Sequence, residues 1–144
     1  MTTSEPLDGA DTPTRVALLH NGHQHHLKVV QLVNHFAGET IDVKLDHSRN
    51  STAGLLQQLA GCDLILFEAF GQISQEQNAA LNWIRMTSFA PLVMLISGAH
   101  VDRTIDAILA GADAVMPLNT ANDVFVAHCR ALVRRWRTRR GAAH

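Results

Sequence analysis

"CDLILFEAF", residues 62–70, decides the fold class. Leu64–Phe67 is a continuous apolar run bracketed by Asp63 and Glu68, without the polar alternation of a strand that has one wet face. Such a run reads as a strand covered on both sides, the situation of a parallel sheet between two helical layers. Working outward, Val16–Leu19, Leu92–Ile96 and Ala114–Met116 share this character. Ile41, Val43 and Leu45 instead alternate with Asp42 and Lys44 and predict a half-wetted edge strand.

Helix-length segments separate these runs. His25–Ala37 carries Val29, Val30, Leu32, Val33 and Phe36 at helical spacing. Ser51–Ala60 carries Leu55, Leu56 and Leu59 and stops at Gly61, while Asp102–Ala110 carries Ile105, Ile108 and Leu109 and stops at Gly111. Both glycines sit where a left-handed residue ends a helix. Ser74 with Gln77 resembles a capping box ahead of Leu81, Trp83 and Ile84. Thr120 with Asp123 opens a last helix over Ala121–Arg137, with Val124, Ala127, Ala131 and Leu132 as its expected inward face. Five βα units in strict alternation require right-handed crossovers and a doubly wound α/β domain.

Composition narrows the function classes. The chain has 144 residues, 47% hydrophobic, with 12 basic and 13 acidic side chains. That suits one domain with a real core and neither disorder nor a globally basic polymer binder. Residues 1–14 read as a flexible leader, 15–137 as the domain and 138–144 as a basic tail or linker. Cys62 and Cys129 stand alone, so a disulfide framework and a cysteine zinc site are not supported. No stretch has the length of a membrane span, no export signal is visible, and the expected compartment is cytoplasmic. No GxxxxGK[ST] loop is present, so the usual phosphate-loop nucleotide site is not expected.

In a doubly wound sheet the functional crevice lies at the carboxyl ends of the strands. The first of these rims reads "LLHNGHQHH", residues 18–26, with histidines at 20, 23, 25 and 26. The spacing matches no established ligand pattern, so solvated loop histidines are the plainer reading and a Zn²⁺ or Ni²⁺ site the sharper one. Ser97 lacks the strand-to-helix elbow of a serine hydrolase, and no enzyme activity is expected. Trp83 and Trp136 read as core and helix-end residues.

The sequence "AILAGADAVMPLNTANDVFVAHCRALVRR", residues 107–135, together with "CDLILFEAF", resembles the receiver domain of bacterial response regulators, most of all the OmpR/PhoB subfamily. The resemblance covers residues 15–136. It implies a flavodoxin-like, CheY-like sheet of five parallel strands in the order 2-1-3-4-5 with five helices. Receivers hold Mg²⁺ with an acidic pair after the first strand, where this chain has His20 and Asn21. The phosphoacceptor aspartate falls on Glu68, the lysine after the fifth strand on Leu118, and the switch aromatic on Val115. Ser97 can supply the hydroxyl of the fourth strand, one residue later than expected, with Ile96 the competing match.

Phosphoryl transfer to a carboxylate needs a Mg²⁺ held by hard, usually anionic oxygens, and here neither carboxylate of the pair is present. Glutamate also moves the nucleophilic oxygen by about 1.5 Å, one carbon–carbon bond. Without the lysine, charge on a phosphoryl group lacks its cation. The resemblance therefore implies an atypical receiver that works without phosphorylation and without cofactor or metal. Glu68 is then either a built-in mimic of the phosphorylated state or ordinary packing in a decayed pocket. A His20–Glu68 pair is expected from their neighbouring strand ends.

In the subfamily the fourth helix, fifth strand and last helix form a homodimer face. Asp102, Arg103, Asp106, Asp113, Asp123 and Arg130 are the candidate charge pairs across it, with solvated surface charge as the plain alternative. Ala114 and His128 depart from the subfamily's acid and arginine at those positions. Six arginines, Arg130, Arg134, Arg135, Arg137, Arg139 and Arg140, fill the last fifteen positions. They are open to three readings: a favourable helix end, a linker, or contact with phosphates. The expected function is a regulatory and dimerisation module controlling transcription through a DNA-binding domain outside these residues. The other readings are a small-molecule or metal sensor using the crevice, and a stand-alone interaction adaptor.

Overall fold

A computed structural model describes residues 13–20, 27–36, 38–44, 54, 57–69, 75–96, 108–109 and 111–142. The elements are β1 (Arg15–His20), α1 (Leu27–Phe36), β2 (Glu39–Lys44), β3 (Leu64–Ala69), α2 (Gln75–Thr87), β4 (Leu92–Ile96), β5 (Ala114–Pro117) and α3 (Asn122–Ala142). Residues 57–59 and 108–109 are also helical and belong to the expected second and fourth helical segments. The count of five helices is therefore not reproduced among the described residues, where three helices have both ends defined.

All strand pairs are parallel, in the order β2-β1-β3-β4-β5. Strand alternation divides the core into two layers. Val16, Leu18, Leu64, Leu66, Val93, Leu95 and Met116 pack against Val29 and Val33 of α1 and Phe125, Cys129 and Val133 of α3. Ala17, Leu19, Ile65, Phe67, Leu92, Met94 and Ile96 pack on the other side with Leu59, Leu81 and Ile84. Both faces of β3 and β4 are thus covered, as their continuous apolar runs require. In β2, Ile41 and Val43 reach the second layer while Thr40 and Asp42 are exposed, as an edge strand should be. The two tryptophans are partly buried against that same layer.

Two positions differ from the sequence reading in the last helix. Its inward face is Phe125, Cys129 and Val133, with Val126 and Leu132 beside them, whereas Val124 and Ala127 are exposed. The bulky i, i+4 stripe outweighs the smaller one built on alanines, because burial free energy scales with apolar area. Thr120 does not cap the helix: its hydroxyl donates to the Pro117 carbonyl at 2.7 Å, and Phe125 N donates to Ala121 O at 2.9 Å. The helix also runs on to Ala142, so most of the expected basic tail is helical. Ile108 and Leu109 of the expected fourth helical segment are exposed.

The base of the sheet, where the strands begin, is built by a repeated device. Gly61-Cys62-Asp63-Leu64 and Gly111-Ala112-Asp113-Ala114 each place a left-handed glycine, φ +80° and +109°, two residues before an aspartate that precedes a strand. Asp63 N donates to Arg15 O at 2.8 Å, and Arg15 N donates back to Asp63 Oδ2 at 3.1 Å. Asp113 N donates to Leu92 O at 2.7 Å, and Leu92 N donates back to Asp113 Oδ2 at 2.7 Å. Each carboxylate therefore extends the ladder by one rung and locks the neighbouring strand's first residue. Each also takes an arginine: Arg137 Nη2 lies 3.1 Å from Asp63 Oδ2, and Arg85 Nη2 lies 3.0 Å from Asp113 Oδ2.

Candidate functional site: the crevice at the strand ends

The strand order reverses between β1 and β3, which places the crevice beyond His20 and Ala69. Parallel register builds its floor. His20 pairs with Lys44 on one side and Glu68 on the other, Glu68 with Leu95, and Leu95 with Met116. Lys44, His20, Glu68, Leu95 and Met116 thus occupy one register row across the sheet. The expected adjacency of positions 20 and 68 is present in the backbone. The same row contains Lys44, which the sequence reading does not single out.

Glu68 is 1% exposed and, with Asp63, is one of two buried polar or charged residues among those described. It alternates with Phe67 and so shares the strand face of Leu64 and Leu66, one residue before the end of β3 at Ala69. Burial of a carboxylate is tolerated only with polar partners.

Leu118, at the position where the resemblance expects a lysine, packs partly buried against the layer of Leu95 and Met116. Its N–H donates to Ile96 O at 2.8 Å, so β5 and the turn after it follow β4 closely. The side chain supplies apolar contact where a cation would be needed. Val115, at the switch position, packs into the opposite layer with Met94 and Ile96. A small aliphatic there has no polar tip with which to report on the crevice.

Asn21, Ser97 and the histidines at 23, 25 and 26 lie outside the described residues, as do Asp102, Arg103 and Asp106 of the expected dimer face. Among the described residues no group of three metal-ligating side chains occurs. The remaining members of that face have distinct settings. Asp113 is engaged inside the chain by Arg85 and Leu92 N. Asp123 is exposed, its Oδ1 accepting from Val124 N at 2.9 Å, and Arg130 is exposed on α3. Both cysteines are free and buried. Burial pushes the Cys129 thiol up to about 12 and raises that of Cys62, which leaves both protonated and poor nucleophiles at neutral pH.

No protein-family model matches the sequence, and no curated protein matches it. Solved structures do match. A signal receiver domain from Vibrio parahaemolyticus is 14% identical with a TM-score of 0.66, over 92% of this chain and 98% of that one. A CheY-like protein, TadZ, from Pseudomonas aeruginosa is 16% identical with a TM-score of 0.65, over 83% and 98%. An orphan response regulator of H. pylori is 14% identical with a TM-score of 0.58, over 83% and 96%. The fold is the flavodoxin-like fold of CheY-like receiver domains. Among the described residues no helix is long and apolar enough to cross a membrane.

Proposed function

We propose that the chain is an atypical receiver that acts as a regulatory and dimerisation module, without phosphorylation and without catalytic chemistry of its own. The observation that carries the reading is the burial of Glu68, 1% exposed at the acceptor position. A phosphodonor must bring its phosphorus in line with an accessible carboxylate oxygen, and this one is enclosed. Leu118 packed where the compensating cation belongs supports the same reading. The module's output is transcriptional, delivered through a DNA-binding domain outside these residues, as in the OmpR/PhoB subfamily.

The dimer forms on the edge of β5. Ile108, Leu109 and Val124 are exposed on the elements flanking this four-residue edge strand, which pairs only with β4. Exposed apolar side chains beside an unpaired edge mark an association surface.

The test treats the full chain with acetyl phosphate and Mg²⁺, then with beryllofluoride and Mg²⁺, and reads intact mass, melting temperature and sedimentation. The expected result is no phosphoryl adduct and a dimer indifferent to beryllofluoride. An adduct, or a dimer that appears only with beryllofluoride, overturns phosphorylation independence. A monomer throughout overturns the dimer.

A further inference from the structure

The charge of this chain is segregated. From residue 121 onward there are six arginines and one acid, Asp123, whereas residues 1–120 carry six basic and twelve acidic side chains. All six arginines lie on α3. Arg137 is accounted for by Asp63 and by the Pro13 carbonyl, to which its Nη2 donates at 3.1 Å. Arg130, Arg134, Arg135 and Arg139 are exposed, and none has an acidic partner among the described residues.

Elementary helix chemistry does not explain these four. Cations favour the last turn of a helix through its dipole, an effect confined to that turn. It covers Arg139, but Arg130, Arg134 and Arg135 lie further in on a 21-residue helix ending at Ala142. Arg130 and Arg134, and likewise Arg135 and Arg139, are i, i+4 neighbours of like charge, which costs a helix stability unless an anion lies over them.

The arrangement also has a shape. At about 100° per residue, Arg130 and Arg134 form one ridge and Arg135 and Arg139 a second about 140° further round. The strip between them holds the small residues Ala127, Ala131 and Thr138, with Val124 at its N-terminal end. A narrow helical strip walled by two arginine ridges can approach a groove closely and place a guanidinium on each of its walls. The arginine fork bonds phosphate oxygens in pairs. The major groove of a DNA duplex, about 12 Å wide, admits a helix of this kind. An interfacial membrane helix needs a continuous row of large apolar residues on its contact face, and this strip offers Val124 alone, at its N-terminal end.

From these features we infer that the outer face of α3 is a binding surface for the phosphate backbone of duplex nucleic acid, independent of sequence. The crevice lies at the opposite end of the strands from Asp63 and Arg137, so this activity stands apart from the receiver reading and survives its failure.

The experiment measures fluorescence anisotropy of a short labelled DNA duplex of mixed sequence, titrated with the full chain across a salt series. Binding is expected at low salt, and four phosphate contacts predict an affinity loss of about 150-fold between 50 and 200 mM salt. The triple substitution R134Q/R135Q/R139Q, with melting temperature as the folding control, abolishes binding. R134K/R135K/R139K keeps the salt slope at weaker affinity. No binding at low salt, binding untouched by the glutamine substitutions, or capture of phosphatidylserine vesicles without capture of duplex each overturns the inference.

Discussion

Asp63 and Asp113 occupy equivalent places in the sheet and differ in their exposure. The Asp63 side chain is 7% exposed and its arginine partner 16%, against 42% and 26% for Asp113 and Arg85. Removing either carboxylate strands one backbone N–H and one guanidinium, but the enclosed site has less water to compensate. Asp63→Ala is expected to cost roughly 3 kcal/mol, near the range for breaking a buried pair, and Asp113→Ala about 1 kcal/mol, closer to the surface limit. Urea midpoints of the two variants check the ranking, and equal losses would show that burial does not set it. The glycine-x-aspartate-strand repeat was visible in the sequence from the start. Periodicity passed over it because a four-residue signature spaced fifty residues apart has no apolar rhythm, and only the reciprocal backbone bonds reveal it as one device used twice.

At the level of elements, the strands were legible and the helix faces less so. Four strands were announced by continuous apolar runs and β2 by alternation, and the structure lengthens these segments by a residue or two at half of their ends while β2 stops one residue short of Leu45. Gly61 and Gly111 were read as helix stops from composition, and both have the left-handed backbone that this requires. The face of α3 was misread because alanines and valines at helical spacing suit either side of a helix, and the deciding residue is the bulky Phe125, 2% exposed. Phe125→Ala should therefore cost about 3–5 kcal/mol, whereas Val124→Ala should leave stability within about 0.5 kcal/mol of the parent. Thermal unfolding distinguishes the two, and a large loss from Val124→Ala in a protein known to be monomeric under the assay would contradict the assigned face.

Across the whole molecule, the two-layer core followed from the apolar pattern and handed crossovers, whereas the strand order β2-β1-β3-β4-β5 was implied by the resemblance to receiver domains. The crevice was legible only as a set of replacements. Glu68, Leu118 and Val115 were found by position, but the enclosure of Glu68 depends on how far β3 runs and on the apolar row beside it, which only the assembled sheet fixes. The exposed pair Ile108 and Leu109 belongs to this scale as well, as part of the proposed association surface. Leu109→Asp is expected to leave the melting temperature of the monomer unchanged while weakening self-association at least tenfold, about 1.4 kcal/mol. Sedimentation equilibrium of parent and variant reads this directly, and an unchanged dimer would move the interface elsewhere.

Arg137 has a mechanical meaning. One guanidinium nitrogen joins the far end of α3 to the Pro13 carbonyl and to the carboxylate that holds Arg15 and begins β3. A pull along the last helix therefore reaches the roots of β1 and β3 through this side chain as well as through the packed face of Phe125, Cys129 and Val133. Tension between α3 and anything attached to it loads the middle of the fold first, so the molecule should resist as one body until that joint parts.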